Sequence, residues 1–321
     1  IGGRYDSEYH ILSSRWVEKI RRKRMRIGKR GFWRRNIGLA FILPWLIGFA
    51  IFKMYPFLAS LFYSFHDYNM FKSASFIGLK NYETILNDKL IMKAFVQTFK
   101  YAFFTVPLEL IFALFIAYIL SDKIRGVNLF RTIYYIPSIL GGSVSVAVLW
   151  KFLFKTEGLI NIILGKFGIP AFNWLGNPDG AFFVIILLKV WQFGSPMVIF
   201  LAALKGVAVD LYEAASIDGA GKWKQFFSIT VPLITPVIFY NFVTQLCHKF
   251  QEFNGPFIIT QGGPLRSTTL ASLLVYNEAF KRYEMGLASA IAWLLFLVIM
   301  TFTVIAFISQ KYWVYYADED G

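Results

Sequence analysis

The sequence predicts an all-α polytopic membrane protein with six transmembrane helices. Three observations predict it. The 321 residues are 57% hydrophobic and 19% aromatic, with a mean hydropathy of +0.53. That is more apolar surface than a soluble chain of this length needs to bury, so lipid must solvate much of it. Six stretches are mostly apolar over the ~20 residues a helix needs to cross a bilayer: 37–65, 95–120, 129–154, 181–204, 229–250 and 285–309. Positive charge gathers ahead of the first, where of the net +14 residues 1–36 carry +9.

The elements follow in order. The run "RRKRMRIGKRGFWRR" at 21–35 reads as a cytoplasmic anchor by the positive-inside rule, able to touch anionic lipid. A nucleic-acid arm is the sharper reading of such a run, but topology already accounts for the charge and no nucleic-acid partner is expected. A cleavable signal peptide is not expected either, since the basic stretch and first apolar span are both too long. An N-terminus inside and six spans return the C-terminus inside. Loops 121–128 and 205–228 then lie in the cytoplasm, and 66–94, 155–180 and 251–284 outside. The expected division is a basic segment 1–36, a membrane domain 37–309 and a tail 310–321. Pro44, Pro56, Pro107, Pro137, Pro196 and Pro236 fall inside spans, where neighbouring helices and polar groups re-satisfy the freed backbone.

No catalytic constellation is expected. The one cysteine, Cys247, makes no internal disulfide or zinc cluster, and the histidines, His10, His66 and His248, are far apart. No Walker-type loop or nucleophile elbow occurs, and no metal site is expected. If this chain moves cargo uphill, another chain binds the nucleotide.

The loop 205–228 holds "DLYEAASIDGAGKWKQFFSITVP" at 210–232. A short helix over 210–217 is expected, capped by Asp210, with Glu213 in its first turn facing the helix dipole. Gly219 and Gly221 would allow a turn with positive φ. Lys222, Trp223, Lys224, Phe226 and Phe227 would lie along the membrane surface.

In span five, Asn241, Gln245, His248, Lys249 and Glu252 fall at i−4, i, i+3, i+4 and i+7, one face of a helix. Ionisable groups in a span usually face a cavity or a partner helix. Two readings stay open for Lys249. It offers positive charge to a ligand, or it pairs with Glu252 at i,i+3 or with a partner subunit. In span four, Trp191 and Phe193 suit either stacking on a ligand or helix packing, Gly194 and Pro196 could open the helix, and Lys189 could snorkel outward. Glu109 in span two has Lys53 or Lys189 as candidate partners. Gly286 with Ala290, and Ala288 with Ala292, form small-xxx-small pairs for close helix packing. Loop 155–180 reads as a short amphipathic segment ending in turns.

The spacing Glu213-Ala214-Ala215, Gly219, Ile229-x-Val231-Pro232 resembles the EAA signature of binding-protein-dependent ABC importer permeases, with Val231 where that family usually has Leu. "ITQGGPLRSTTL" at 259–270 resembles the Thr-x-Gly-Gly-Pro segment of carbohydrate-type, maltose-importer-like members. "VYNEAFKRYEMGLASAIAW" at 275–293 and "RTIYYIPSIL" at 131–140 fit the same pattern. The resemblance covers residues 36–315.

It implies a type I importer permease that works by alternating access in the bacterial inner membrane. Its partners would be a second homologous permease, two cytosolic ATPase subunits holding ATP and Mg, and an extracytoplasmic solute-binding protein docking on loop 155–180 and the Gly-Gly-Pro loop. Glu213, Ala214, Ala215, Asp218 and Gly219 would form the ATPase-coupling helix. By the same resemblance, Gln245, His248, Lys249 and Glu252, and in span four Gly194 and Met197, would contact sugar. The cationic stripe suits acidic oligosaccharides, as in an alginate-type importer. The competing expectations are a secondary transporter or channel without an ATPase, and a membrane-bound enzyme.

Overall fold

The computed structural model describes residues 41–71, 73–122 and 125–316. The basic segment 1–36 and the last residues of the tail lie outside them. The chain forms two compact units, dividing between Ser60 and Leu61. The first contributes most of helix α1, Phe41–Ser64. Ala50–Met54 adopt a π-helical turn, and the Tyr55 N–H reaches back to the Ala50 carbonyl. Pro56 follows immediately. It has no N–H to donate and its ring crowds the carbonyl four residues back, so the wider turn accommodates it.

The second unit opens with a two-residue antiparallel pairing of β1, His66–Asp67, with β2, Ser75–Phe76. Helix α2, Lys80–Asn87, leads into α3, Lys89–Ser121. The side chain of Asp88 caps α3 by accepting from the Leu90 and Ile91 N–H groups. Helices α4, Val127–Leu140, and α5, Val144–Leu153, form one bent span with 101° between them. The bend falls on Gly141-Gly142, and Ser143 caps α5. After α6, Leu159–Lys166, a second bent span joins α7, Pro178–Trp191, to α8, Gly194–Gly206, at 41°. Pro196 sits in the first turn of α8, where its missing N–H leaves no hydrogen bond unmade.

Helix α9, Val209–Ile217, follows. A third bent span runs from α10, Lys222–Leu233, to α11, Thr235–Phe250, at 66°. Pro232 is preceded by another π turn, Phe226–Thr230, and Pro236 starts α11 just past the bend. Lys222, Trp223, Lys224, Phe226 and Phe227 lie on the first limb of this bent pair. A π turn Pro256–Thr260, helix α12, Ala271–Tyr276, and α13, Met285–Trp313, complete the described chain.

Among the described residues six spans therefore appear, three continuous and three bent, in an all-α polytopic membrane protein. Helix α3 is the central post, packing on α7, α8 and α11. Its inward face repeats small or neatly fitting residues at helical spacing: Ala94, Thr98, Ala102, Val106, Glu109, Ala113 and Ala117, all buried. Small side chains let helix backbones approach closely, which drives packing where lipid supplies no hydrophobic force. Met197, Phe200 and Leu204 of α8, Leu246 and Phe250 of α11 and Ile291 of α13 close the core.

Gly286 does not serve the helix packing expected of it. Its N–H donates to the Tyr68 carbonyl at 3.0 Å, and a Cβ there would strike the His66 carbonyl. It seats the segment after β1 on the start of α13. In loop 155–180, Asn161 is the hub. Its amide donates to the Thr156 and Phe172 carbonyls and its Oδ1 accepts from the Phe172 N–H and the Trp174 indole.

Candidate functional site: a charged cavity among broken spans

A cavity of about 400 Å³ lies among α3, α4, α7, α8 and α11. Two helix bends form one wall. The Gln192 side-chain amide donates to the Gly141 carbonyl at 3.3 Å. The Ser138 and Ser195 hydroxyls meet at 2.6 Å, and Ser138 Oγ also accepts from the Ser195 N–H. The irregular backbone of two spans is thus pinned together beside the cavity, the setting in which such backbone is tolerated at membrane depth.

Four charged side chains among the described residues meet the cavity. Lys249 Nζ lies 2.6 Å from Glu109 Oε2, and both are almost inaccessible, at 6% and 2%. Lys189 Nζ lies 2.9 Å from Glu252 Oε2, with more access at 14% and 9%. The pairing corrects three expectations. Within this chain Lys249 pairs with Glu109 rather than with Glu252. Glu109 takes Lys249 and not Lys189, and Lys189 turns inward instead of snorkelling outward. The reason lies in helix length. Helix α11 ends at Phe250, and although the Glu252 N–H still reaches the Lys249 carbonyl at 3.3 Å, the Glu252 side chain lies past the helix and turns to Lys189. The Glu252 carboxylate instead has its Oε1 on the Gly255 N–H at 2.9 Å, while its backbone carbonyl accepts from the Ser272 hydroxyl.

Of the expected pathway residues, Gln245, His248, Lys249 and Glu252 line the cavity. The others are not in its wall. Asn241 is 1% exposed, and its amide nitrogen has no partner among the described residues. Met197 is fully buried in the core. Trp191 packs against Trp150, ring centres 5.2 Å apart, and Phe193 packs edge-on against Phe112 at 4.7 Å. At Gly194 a Cβ would lie 2.7 Å from the Tyr134 carbonyl, so glycine there lets α8 start hard against α4. Sequence reasoning missed Ser138, Gly141, Gln192 and Ser195, and left Glu109 without its partner. One signal was available, because Glu109 shares the small-residue face of α3.

At the other candidate site, α9 carries Glu213, Ala214 and Ala215, and no residue of this helix is buried. Its N-cap is Ala208, without a side-chain bond, so Asp210 does not cap the helix but lies inside its first turn. Glu213 falls in the second turn. The C-terminus closes as a Schellman turn after Asp218: the Gly219 N–H reaches the Ser216 carbonyl and the Ala220 N–H the Ala215 carbonyl. Gly219 has φ +77°, as that turn requires. Gly221 does not, with φ −68°. The Gln225 amide donates to Ser216 Oγ and the Ala220 carbonyl, and the Tyr212 and Thr230 hydroxyls meet at 2.8 Å. An exposed helix is thereby fixed to the start of the third bent span.

The Gly-Gly-Pro loop is tied by its threonines. Thr269 Oγ1 donates to the Gly262 carbonyl and Thr268 Oγ1 to that of Gly263, and Lys93 Nζ holds the Leu265 carbonyl at 2.9 Å.

Broken spans around a polar cavity, with an exposed helix bonded to one of them, define a membrane transport component. The chain belongs to the family of binding-protein-dependent transport system inner membrane components, whose pattern it matches over residues 30–314. It is a transport subunit and not an enzyme. It is 44% identical over 287 residues to the probable ABC transporter permease protein YesP of Bacillus subtilis, covering 88% of this chain and 93% of that one. It is 34% identical to the trehalose/maltose transport system permease protein MalF of Thermococcus litoralis, covering 84% and 92%. It is 35% identical to the sn-glycerol-3-phosphate transport system permease protein UgpA of Yersinia pestis, covering 83% and 91%. Its fold matches a chain of a bacterial alginate ABC transporter solved with an alginate-pentasaccharide-bound periplasmic protein. The TM-score is 0.77 at 22% identity, over 88% of this chain and 96% of that one.

Proposed function

We propose that this chain is the membrane-spanning permease subunit of an ATP-driven importer of sugars and oligosaccharides, acidic ones such as alginate fragments among them. The carrying observation is the cavity itself, where Gln192, Gln245, His248 and two lysine–glutamate pairs surround a space of about 400 Å³ among broken spans. Polar groups in that number are expensive inside a span unless a polar cargo uses them. Relatives named for trehalose/maltose and sn-glycerol-3-phosphate transport support a polyhydroxylated cargo, in the second case an anionic one.

In this reading α9 is the coupling helix. Glu213, Ala214, Ala215, Asp218 and Gly219 dock on a cytosolic ATPase, and ATP-driven closure of two such subunits passes through α10 to the cavity. A second homologous permease completes the pathway, and a sugar-loaded binding protein docks on the opposite face. Both termini are cytoplasmic, and access alternates between the two sides. ATP and Mg belong to the ATPase subunits.

The test is transport by the full complex in proteoliposomes, with its binding protein, against neutral and uronic oligosaccharides. ATP-dependent uptake of either class supports the reading. Uptake that proceeds without ATP overturns it in favour of a secondary transporter or channel.

A further inference from the structure

The two ion pairs of the cavity are unequal. Lys249–Glu109 joins α11 to the central post α3 and is almost sealed. Lys189–Glu252 joins α7 to the segment after α11 and is the more accessible. Their carboxylates also differ. Glu252 keeps a bond from the Gly255 N–H to Oε1 whether or not Lys189 remains on Oε2. It can therefore lose its lysine without being left wholly unsatisfied in a buried place. Gln192, Ser138 and Ser195 line the same cavity as Lys189, and so does the first turn of α8, where a helix's partial positive charge lies.

We infer that Lys189, rather than Lys249, is the residue that reads the charge of an acidic saccharide, and that Glu252 is its built-in competitor. With the site empty, Glu252 neutralises Lys189. A substrate carboxylate takes Lys189 from Glu252 Oε2, and Glu252 stays on the Gly255 N–H. A saccharide without a carboxylate leaves the pair closed and uses the neutral groups alone. Lys249–Glu109 remains a fixed structural bond throughout. This inference rests on the oligosaccharide-importer reading and sharpens it: discrimination between charged and neutral cargo sits on the fourth span and not on the fifth.

The experiment compares uptake of a uronic-acid tetrasaccharide with that of its carboxyl-reduced counterpart in proteoliposomes holding the full complex, binding protein and ATP. Two variants are used. K189Q/E252Q removes both charges at once, so no buried charge is orphaned and assembly is retained. E252Q removes only the competitor. For the double variant, preference for the uronate over the reduced sugar should fall roughly tenfold, the scale of one charge-assisted hydrogen bond. For E252Q, the uronate concentration at half-maximal uptake should fall several-fold relative to that of the reduced sugar. An unchanged preference in the double variant, or an equal loss for both sugars, overturns the role of Lys189. A wild-type complex that takes up neither sugar overturns the importer reading itself, and this inference with it.

Discussion

Lys249 of α11 and Glu109 of α3 meet at 2.6 Å across the middle of the bundle, 140 positions apart in the chain and both nearly sealed from solvent. Such a pair ties the fifth span to the central helix. Removing one partner strands the other charge, which costs about 3–5 kcal/mol in a buried setting, whereas removing both is often neutral. Lys249→Ala should therefore lower the thermal midpoint of the purified complex markedly, and K249Q/E109Q should restore most of it. Equal destabilisation by the two variants would show that the pair is not what holds these helices.

Gly219 closes α9 in a left-handed conformation. An L side chain there is disfavoured by about 1–2 kcal/mol. Gly219→Ala should fray the helix end, raising hydrogen exchange of the Gly219 and Ala220 amides roughly five- to thirty-fold. Unchanged protection would mean the turn does not depend on glycine.

Glu213 is exposed on a helix with no buried residue. Under the coupling role, Glu213→Lys puts the wrong charge on the ATPase contact without disturbing packing. The complex should still co-purify while ATP-driven uptake is lost. Full uptake by this variant would remove Glu213 from the coupling surface.

Glu278 lies in the 251–284 connection, outside the spans. Burial pushes its carboxyl above the usual range, although Arg282 opposes the shift. A carboxyl with a raised folded-state pKa stabilises the fold while protonated. That contribution is complete below the unfolded pKa and is lost as pH rises through the folded one. Glu278→Gln should thus flatten the decline in thermal midpoint from acidic to neutral pH and raise the midpoint at neutral pH. A steeper decline would show that the Arg282 bond outweighs burial.

Much of the fold is written locally. Each span announces itself by length and apolarity, and each bend falls at Gly141-Gly142, just before Pro196 or just before Pro236. Pro196 was readable as a place where the helix could open, but Pro236 only as a tolerated guest, because whether a helix bends depends on what replaces the lost hydrogen bond. The stripe on α11 was legible for the same reason as the spans, since helical spacing is a local property. Its last member shows the limit. Glu252 fits the 3.6-residue period, yet the helix stops at Phe250, and neither partner of the two ion pairs is a sequence neighbour. Trp191 and Phe193 look alike as sugar platforms or packing residues until their neighbours, Trp150 and Phe112, are in view.

The four charged groups that the described residues place around the cavity, two lysines and two glutamates, cancel. A membrane voltage does work only on net charge, about 2.3 kcal/mol per elementary charge per 100 mV. Under the proposed alternating access, an empty site of this composition turns between the two sides without feeling the voltage. A neutral cargo keeps it so. Each uncompensated carboxylate on an acidic cargo adds a charge that an inside-negative voltage pushes outward. For such cargo the energised membrane is a load rather than a driving force, and the uptake rate should fall as an imposed inside-negative potential grows.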